Sequence, residues 1–271
     1  MLSLSEISTA GATFREDLAA YTAAGFAGIG IWEMKLDDDT ADAAALRQSG
    51  LKATNCVPLV PSILPNPVIE GPTRVEERIA SLCASMRRFA RYEPDSVLCL
   101  TGPAGALPED EARTVVIEGL KRIADAAASA GVRLGLEPIH ASQREQLSLV
   151  TSIPEALDLL DEAGLPQVGI MVDLWHVWDT PTIERDLRDG IDRITGVHVA
   201  DWWAEPRDDR ALPGEGVSRT RELAGILDRA GWHGAWDVEI FGDAERSDSI
   251  WSLGPVEAAE RAYEAAVAAL P

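Results

Sequence analysis

Short apolar runs alternate with longer segments of helical period along the whole chain. This pattern is typical of α/β proteins, in which crossover helices join parallel strands. Strands are predicted at Leu2–Ile7, Ala27–Trp32, Lys52–Leu59, Ser96–Thr101, Val132–Glu137, Gly169–Asp173, Gly196–Ala200 and Ala235–Ile240. Helices are predicted at Thr13–Ala24, Ala41–Ser49, Thr73–Arg91, Pro108–Ala130, Pro154–Ala163, Ile183–Arg188, Ser218–Ala230 and Pro255–Leu270.

Eight strand–helix units in one chain favour a closed barrel. The chain has 271 residues, and a (β/α)8 TIM barrel typically needs about 250. No linker rich in Gly, Pro or Ser divides the units, so residues 1–271 are predicted to form a single domain. A doubly wound sheet is the alternative, but it needs a glycine-rich first turn, which Ser8–Thr13 does not supply. The sequence therefore predicts an α/β protein with a (β/α)8 TIM barrel.

The charge balance bears on partners and location. Asp and Glu number 45 and Lys and Arg number 24, which gives a formal net charge of −21. This charge repels polyphosphates, so a nucleic-acid partner is not expected. The N-terminus lacks a signal peptide, no run is long enough to span a membrane, and the cysteines Cys56, Cys83 and Cys99 suit reduced thiols. A cytoplasmic protein without membrane attachment is predicted.

Four polar residues lie at the ends of apolar predicted strands. They are Glu137, Asp173, His198 and Glu239, on the fifth to the eighth strands. A buried carboxylate or imidazole is costly unless it is paired or binds a metal, and the C-terminal ends of barrel strands meet on one face. One such residue alone could equally be a salt-bridged strand end. Together they predict one divalent metal ion, with Mn2+ or Mg2+ preferred by the oxygen-rich ligand set and Co2+ or Zn2+ also open.

With these motifs the chain resembles the xylose isomerase-like barrels, a superfamily that includes ketose 3-epimerases, inosose isomerases and dehydratases, and apurinic endonucleases. The similarity covers nearly the whole chain. It is carried by Gly-Leu-Glu137-Pro, Val-Asp173-Leu-Trp-His176, Gly-Val-His198-Val, Val-Glu239-Ile and Arg210-Ala-Leu-Pro-Gly-Glu-Gly216.

The resemblance implies roles for individual residues. It implies that Glu137, Asp173, His198 and Glu239 bind the metal, and that Glu137 and Glu239 are also the catalytic pair that transfers a proton on opposite faces of the substrate. A metal-bound carbonyl and hydroxyl would stabilise an enediolate during that transfer.

Further substrate-binding candidates lie in the loops after the predicted strands. The resemblance implies that His176 and Arg210 contact substrate oxygens, although a packed histidine and an exposed arginine are the structural alternatives. His140 and Lys35 are candidate acid or base groups, and either could instead be a surface residue. Trp32 and four other tryptophans near strand ends suit the apolar face of a sugar or cyclitol, or a subunit contact in a homo-oligomer.

The sequence thus predicts a metal-dependent isomerase or epimerase for a keto sugar or keto inositol. A lyase on a similar substrate is the alternative, because dehydration would use the same residues. One departure weakens a free-ketose epimerase: where such enzymes often have a second glutamate, this chain has Gln143. An apurinic endonuclease is remote, because its extra histidines on the third and fourth strands are missing. A barrel that acts only with a partner subunit stays open.

Overall fold

The computed structural model describes residues 1–205 and 207–271. Its strands form one parallel sheet in the order β3-β2-β1-β9-β8-β7-β6-β5-β4. The strands are β1 (Leu2–Ser5), β2 (Gly28–Gly30), β3 (Lys52–Ala53), β4 (Asn55–Cys56), β5 (Ser96–Cys99), β6 (Leu134–Leu136), β7 (Gly169–Asp173), β8 (Ile194–Val199) and β9 (Trp236–Val238).

The sheet closes at Thr54, which separates β3 from β4. The Thr54 N–H donates to the carbonyl of Ile29, and the Thr54 carbonyl accepts from the N–H of Ser96, so this residue joins both neighbouring strands. β3 and β4 are therefore two parts of the third predicted strand. The predicted TIM barrel is confirmed, and all eight predicted strands are present.

The helices surround the sheet. They are α1 (Phe14–Ala24), α2 (Asp39–Ser49), α3 (Val75–Phe89), α4 (Glu109–Ala130), α5 (Arg144–Leu147), α6 (Ile153–Glu162), α7 (Leu174–Val177), α8 (Ile183–Asp189), α9 (Thr220–Ala230) and α10 (Pro255–Ala269). The eight predicted helices form, and α5 and α7 are additional single turns in the loops after β6 and β7. None of the described helices has both the length and the apolar character needed to cross a bilayer.

Local signals explain where α1 begins and ends. The side chain of Thr13 accepts from the N–H of Glu16, and the Glu16 carboxylate accepts from the N–H of Thr13, which satisfies free donors at the helix start. Gly25 follows the helix with a φ of 103°, a conformation that suits glycine. The predicted first helical residue, Thr13, is therefore the cap.

Two apolar clusters are buried in the molecule. The large one lies between the sheet and the helices and includes Val116, Leu120 and Ile123 of α4. The smaller one lies at the C-terminal ends of the strands and consists of Ile7, Val57, Leu98, Leu100, Ile139 and Met171. Its position places aliphatic side chains on the face where barrels carry their active sites.

Candidate metal centre

The strands bring the four predicted metal ligands to one face of the barrel. Asp173 is the last residue of β7, and it lies opposite His198 in the parallel register of β7 and β8. Glu137 follows β6 directly, and Glu239 follows β9 directly. All four side chains are buried. The parallel pairing of β6, β7, β8 and β9 along the sheet places residues that are far apart in sequence in this one site.

Three of these residues form a compact group of donors. Ligand atoms of Glu137, Asp173 and His198 all lie within 4.8 Å of one another. His198 Nδ1 is 3.3 Å from Glu137 Oε1 and 3.8 Å from Glu239 Oε2. The fourth predicted ligand, Glu239, therefore lies beside the group, in contact with the same imidazole nitrogen. Their role as metal ligands stays a prediction.

Arg210 supplies the positive charge closest to the carboxylates. Its Nη1 donates to Asp173 Oδ2 at 2.8 Å and to Glu239 Oε2 at 3.1 Å. The guanidinium also lies over the rings of Trp175, at 4.7 Å, and Phe241, at 4.6 Å. These contacts hold the side chain at the centre of the site, as a buried cation with two carboxylate partners.

The electrostatics of the site follow from burial and from the crowding of like charges. Burial raises the pKa of Glu137 to about 7, against the opposing effect of His198. Burial alone would lower the pKa of His198, but Glu239 and Glu137 outweigh it and raise that pKa to about 10. Burial likewise opposes a low pKa at Asp173, yet the charge of Arg210 lowers it. The buried carboxylates thus favour the positively charged form of His198 and are themselves stabilised by the positive charge of Arg210.

His176 is a neutral imidazole in the loop above the carboxylates. Burial lowers the pKa of His176 to about 3. Its Nδ1 accepts from the backbone N–H of His140 at 3.2 Å, which assigns the ring proton to Nε2. That Nε2 lies 3.7 Å from Asp173 Oδ2 and 3.4 Å from Arg210 Nη2. The one-turn helix α7 carries His176 to this position.

A cavity of about 280 Å³ opens above these groups. Five predicted functional residues line it, namely Glu137, Glu239, His176, Arg210 and Trp175, one of the tryptophans near the strand ends. The volume is close to the lower limit of about 300 Å³ for small-molecule sites, which favours a compact ligand.

Three other predicted substrate-binding residues lie outside the cavity lining. Lys35 Nζ donates to Asp17 Oδ2 at 2.6 Å and to the carbonyl of Thr9 at 2.8 Å, so its charge is neutralised in a buried ion pair. Lys35 thus has structural partners and does not line the cavity, and its contact with substrate stays a prediction.

His140 and Trp32 also have structural contacts. The His140 ring lies 2.7 Å from Ser142 Oγ and 3.2 Å from Asp179 Oδ2. The Trp32 ring packs against the smaller apolar cluster, behind the cavity wall. Both residues therefore lie next to the cavity lining and are not part of it.

Asp237 is a buried acid that the sequence prediction missed. It lies in β9 on the same face as Glu239, and its Oδ2 is 4.0 Å from His198 Nε2. Burial raises the pKa of Asp237 to about 7. Neither Asp237 Oδ1 nor His198 Nε2 has a hydrogen-bond partner among residues 1–205 and 207–271. The position of Asp237 could have been predicted from the sequence, because Asp237 and Glu239 are two residues apart in a strand and therefore lie on the same face.

Comparisons with known proteins agree with the geometry. The family model of the xylose isomerase-like TIM barrel matches residues 18–270. The chain belongs to this family. Among curated proteins it is similar to a D-psicose 3-epimerase of Enterocloster bolteae, with 29% identity over 49% of this chain and 40% of that protein. The match thus spans well under two thirds of the relative's length.

Solved structures share the architecture over nearly the whole chain. Protein SMc04130 of Sinorhizobium meliloti 1021 is 25% identical, with a TM-score of 0.88 and coverage of 99% of this chain and 98% of that one. The IolI protein with a bound zinc atom is 20% identical, with a TM-score of 0.81 and coverage of 99% and 97%. A D-allulose 3-epimerase of Methylomonas sp. in complex with D-allulose is 18% identical, with a TM-score of 0.73 and coverage of 99% and 96%.

Proposed function

We propose that this protein is a divalent-metal-dependent isomerase or epimerase, which moves a proton next to the carbonyl of a keto sugar or keto inositol. The observation that carries the proposal is the convergence of three buried carboxylates and an imidazole beside a small cavity. The epimerases and the zinc-binding IolI protein among the relatives support the same class of reaction.

The residues fit a divalent cation. Glu137, Asp173, His198 and Glu239 would hold it, since carboxylate oxygens and imidazole suit Mn2+ and Mg2+ and also accept Co2+ or Zn2+. The raised pKa of His198 shows how strongly the surrounding carboxylates favour positive charge at this point. A cation bound to Nδ1 would meet the same requirement in place of the proton.

Each residue then has a part in proton transfer. The metal, when bound, would withdraw charge from a carbonyl and so acidify the neighbouring C–H. Glu137 suits the transfer because its buried carboxylate lines the cavity, where it can reach the C–H next to the carbonyl of a bound substrate. Glu239, on the same cavity, is its partner on the other face of the substrate. Arg210 and His176 would donate hydrogen bonds to substrate oxygens.

Deuterium uptake tests the proposal. The protein is incubated with Mn2+ and a panel of ketoses and inososes in D2O, and exchange at the carbon next to the carbonyl is measured by NMR. We expect exchange in the wild type and a loss of about 10²- to 10⁴-fold in Glu137→Gln and in Glu239→Gln. Glu260→Gln, an exposed carboxylate on α10, is the matched control and should exchange at the wild-type rate.

The products separate the two candidate reactions. Deuterium uptake with conservation of the oxygen count indicates isomerisation or epimerisation, whereas loss of water indicates a lyase. No exchange and no product with any member of the panel, from protein shown to contain metal, would contradict the proposal.

A further inference from the structure

The wall of the cavity is divided into two arcs of opposite character. The polar arc consists of Glu137, Glu239, His176, Arg210 and the exposed Asp208, with the Trp175 ring beside Arg210. The apolar arc begins with Ile7, Val57, Leu98, Leu100 and Ile139 of the smaller cluster and continues with Pro61, Val68, Ile69, Leu147 and Phe241. A ligand that fills the cavity must therefore contact both kinds of surface.

Polar residues near the apolar arc lie outside the cavity lining, and most of their polar atoms have other partners. Glu6, next to Ile7, accepts through Oε2 from the backbone N–H of Trp32, while its buried Oε1 has no hydrogen-bond partner among the described residues. Asn55, near Val57, donates to the carbonyl of Val197. Thr101, after Leu100, donates to the carbonyl of Gly102. These side chains do not line the cavity, so that side of a ligand would meet aliphatic carbon rather than hydrogen-bonding groups.

Apolar side chains also line the mouth of the cavity. Val68 is 58% exposed and Phe241 is 40% exposed, although both line the cavity. The side chain of Asn66 accepts from the backbone N–H groups of Val68 and Ile69, which fixes this turn of the loop beside the cavity. Exposed apolar surface at the rim of a pocket indicates an apolar ligand group that covers it.

The remaining polar groups of the lining are few. Gln143 Oε1 is buried and has no hydrogen-bond partner within residues 1–205 and 207–271, so it can accept one hydrogen bond from a ligand. Arg210 is the one Lys or Arg side chain that lines the cavity in the described part of the chain, and two carboxylates already share it. The lining therefore offers no free cation for a phosphate group.

We propose that the substrate is an uncharged hydroxy ketone with one polar end and one apolar end, rather than a ketose that is hydroxylated throughout. The ketone and its hydroxyl lie on the polar arc, and a compact alkyl, deoxy or ring-carbon group lies on the apolar arc. This substrate class rests on the proposed function. Unpartnered hydroxyls on an aliphatic wall would lose their hydrogen bonds to water, whereas buried CH2 groups stabilise binding.

Matched pairs of ligands test the proposal by calorimetric binding to the Mn2+-loaded protein. One series is hydroxyacetone, 1-hydroxy-2-butanone and 1-hydroxy-2-hexanone, and the polar counterparts of the last two are erythrulose and psicose. We expect affinity to rise about fourfold for each added CH2 and to be at least about tenfold higher for each alkyl ketone than for its polyol counterpart. Equal or tighter binding of the polyols would overturn the proposal.

A surface variant locates the effect in the apolar arc. Val68→Thr keeps the shape of an exposed side chain but adds a hydroxyl, so it should reduce the preference for 1-hydroxy-2-hexanone over psicose by about twofold to fourfold. Val256→Thr, an equally exposed valine on α10, is the control and should leave the preference unchanged. An unchanged preference in Val68→Thr would contradict the assigned position of the apolar group.

Deuterium exchange with the same ligands keeps the two proposals separate. Alkyl ketones that bind tightly but do not exchange would support the substrate class and contradict the isomerase. Polyols that bind and exchange better than the alkyl ketones would support the isomerase and overturn the substrate class. If none of the ligands binds, the substrate class is overturned, and the ketose and inosose panel described above decides the isomerase proposal separately.

Discussion

The two halves of the barrel mouth are built on different physical principles. The half formed by β6 to β9 carries the buried charges Glu137, Asp173, His198 and Glu239, whereas the half formed by β1 to β5 carries four of the six residues of the smaller apolar cluster, Ile7, Val57, Leu98 and Leu100. Charged groups in the first half depend on countercharge for their stability, and aliphatic groups in the second depend on packing. The same backbone architecture therefore lines one side of the barrel mouth with charged groups and the other side mainly with aliphatic groups.

Removal of Arg210 should have the largest effect on stability. Arg210→Ala leaves Asp173 and Glu239 buried without their shared cation, so the free energy of unfolding should fall by about 3–5 kcal/mol in EDTA. Saturating Mn2+ should restore much of that loss, because a bound cation would neutralise the same carboxylates. Chemical denaturation with EDTA and with Mn2+ measures both effects, and a loss that Mn2+ does not reduce would contradict the account.

The apolar half should respond differently. Leu98→Ala should lower the free energy of unfolding by about 2 kcal/mol, at the lower end for a buried leucine because its side chain borders an existing cavity. Mn2+ should leave this loss unchanged, as measured by the same denaturation experiment. If Mn2+ rescued Leu98→Ala as well as Arg210→Ala, the two halves would not be independent.

Asp237→Asn tests whether Asp237 orients the imidazole of His198, a proposed metal ligand. The Asp237 carboxylate faces His198 Nε2, so its loss should weaken Mn2+ binding by about 10- to 100-fold with little change in fold. Calorimetric titration with Mn2+ measures the affinity, and circular dichroism checks the fold. Asp189→Asn, an exposed carboxylate at the end of α8, is the control. Unchanged affinity in Asp237→Asn would show that the carboxylate does not position the ring.

Stability should fall as pH rises in EDTA, whereas it should depend much less on pH with saturating Mn2+. His198, with its pKa raised to about 10, contributes stability that is present below about pH 6.5 and is lost as pH rises toward 10 in EDTA. Mn2+ must displace that proton, so its affinity should rise by about tenfold per pH unit between pH 7 and 9. Thermal unfolding in EDTA and in Mn2+ should therefore diverge as pH rises, whereas a constant separation would contradict proton displacement at His198.

Much of the site was predictable because strand ends are visible in sequence. A polar residue that ends an apolar run signals its own position, and Glu137, Asp173, His198 and Glu239 all lie where their strands predicted. Lys35 carried no such signal, since any loop lysine could reach the site or pair elsewhere. Its partner Asp17 lies on α1, and only the packing of that helix decides the pairing.

The sequence by itself determined the alternation of strands and helices and the residues at the strand ends. These features depend on local periodicity and on the chemistry of single side chains. Only the tertiary structure decided that Arg210 joins Asp173 and Glu239, that Asp237 faces His198, and that ten apolar side chains form one wall of the cavity. Such contacts depend on closure of the barrel at Thr54 and on the paths of its loops, which local periodicity does not specify.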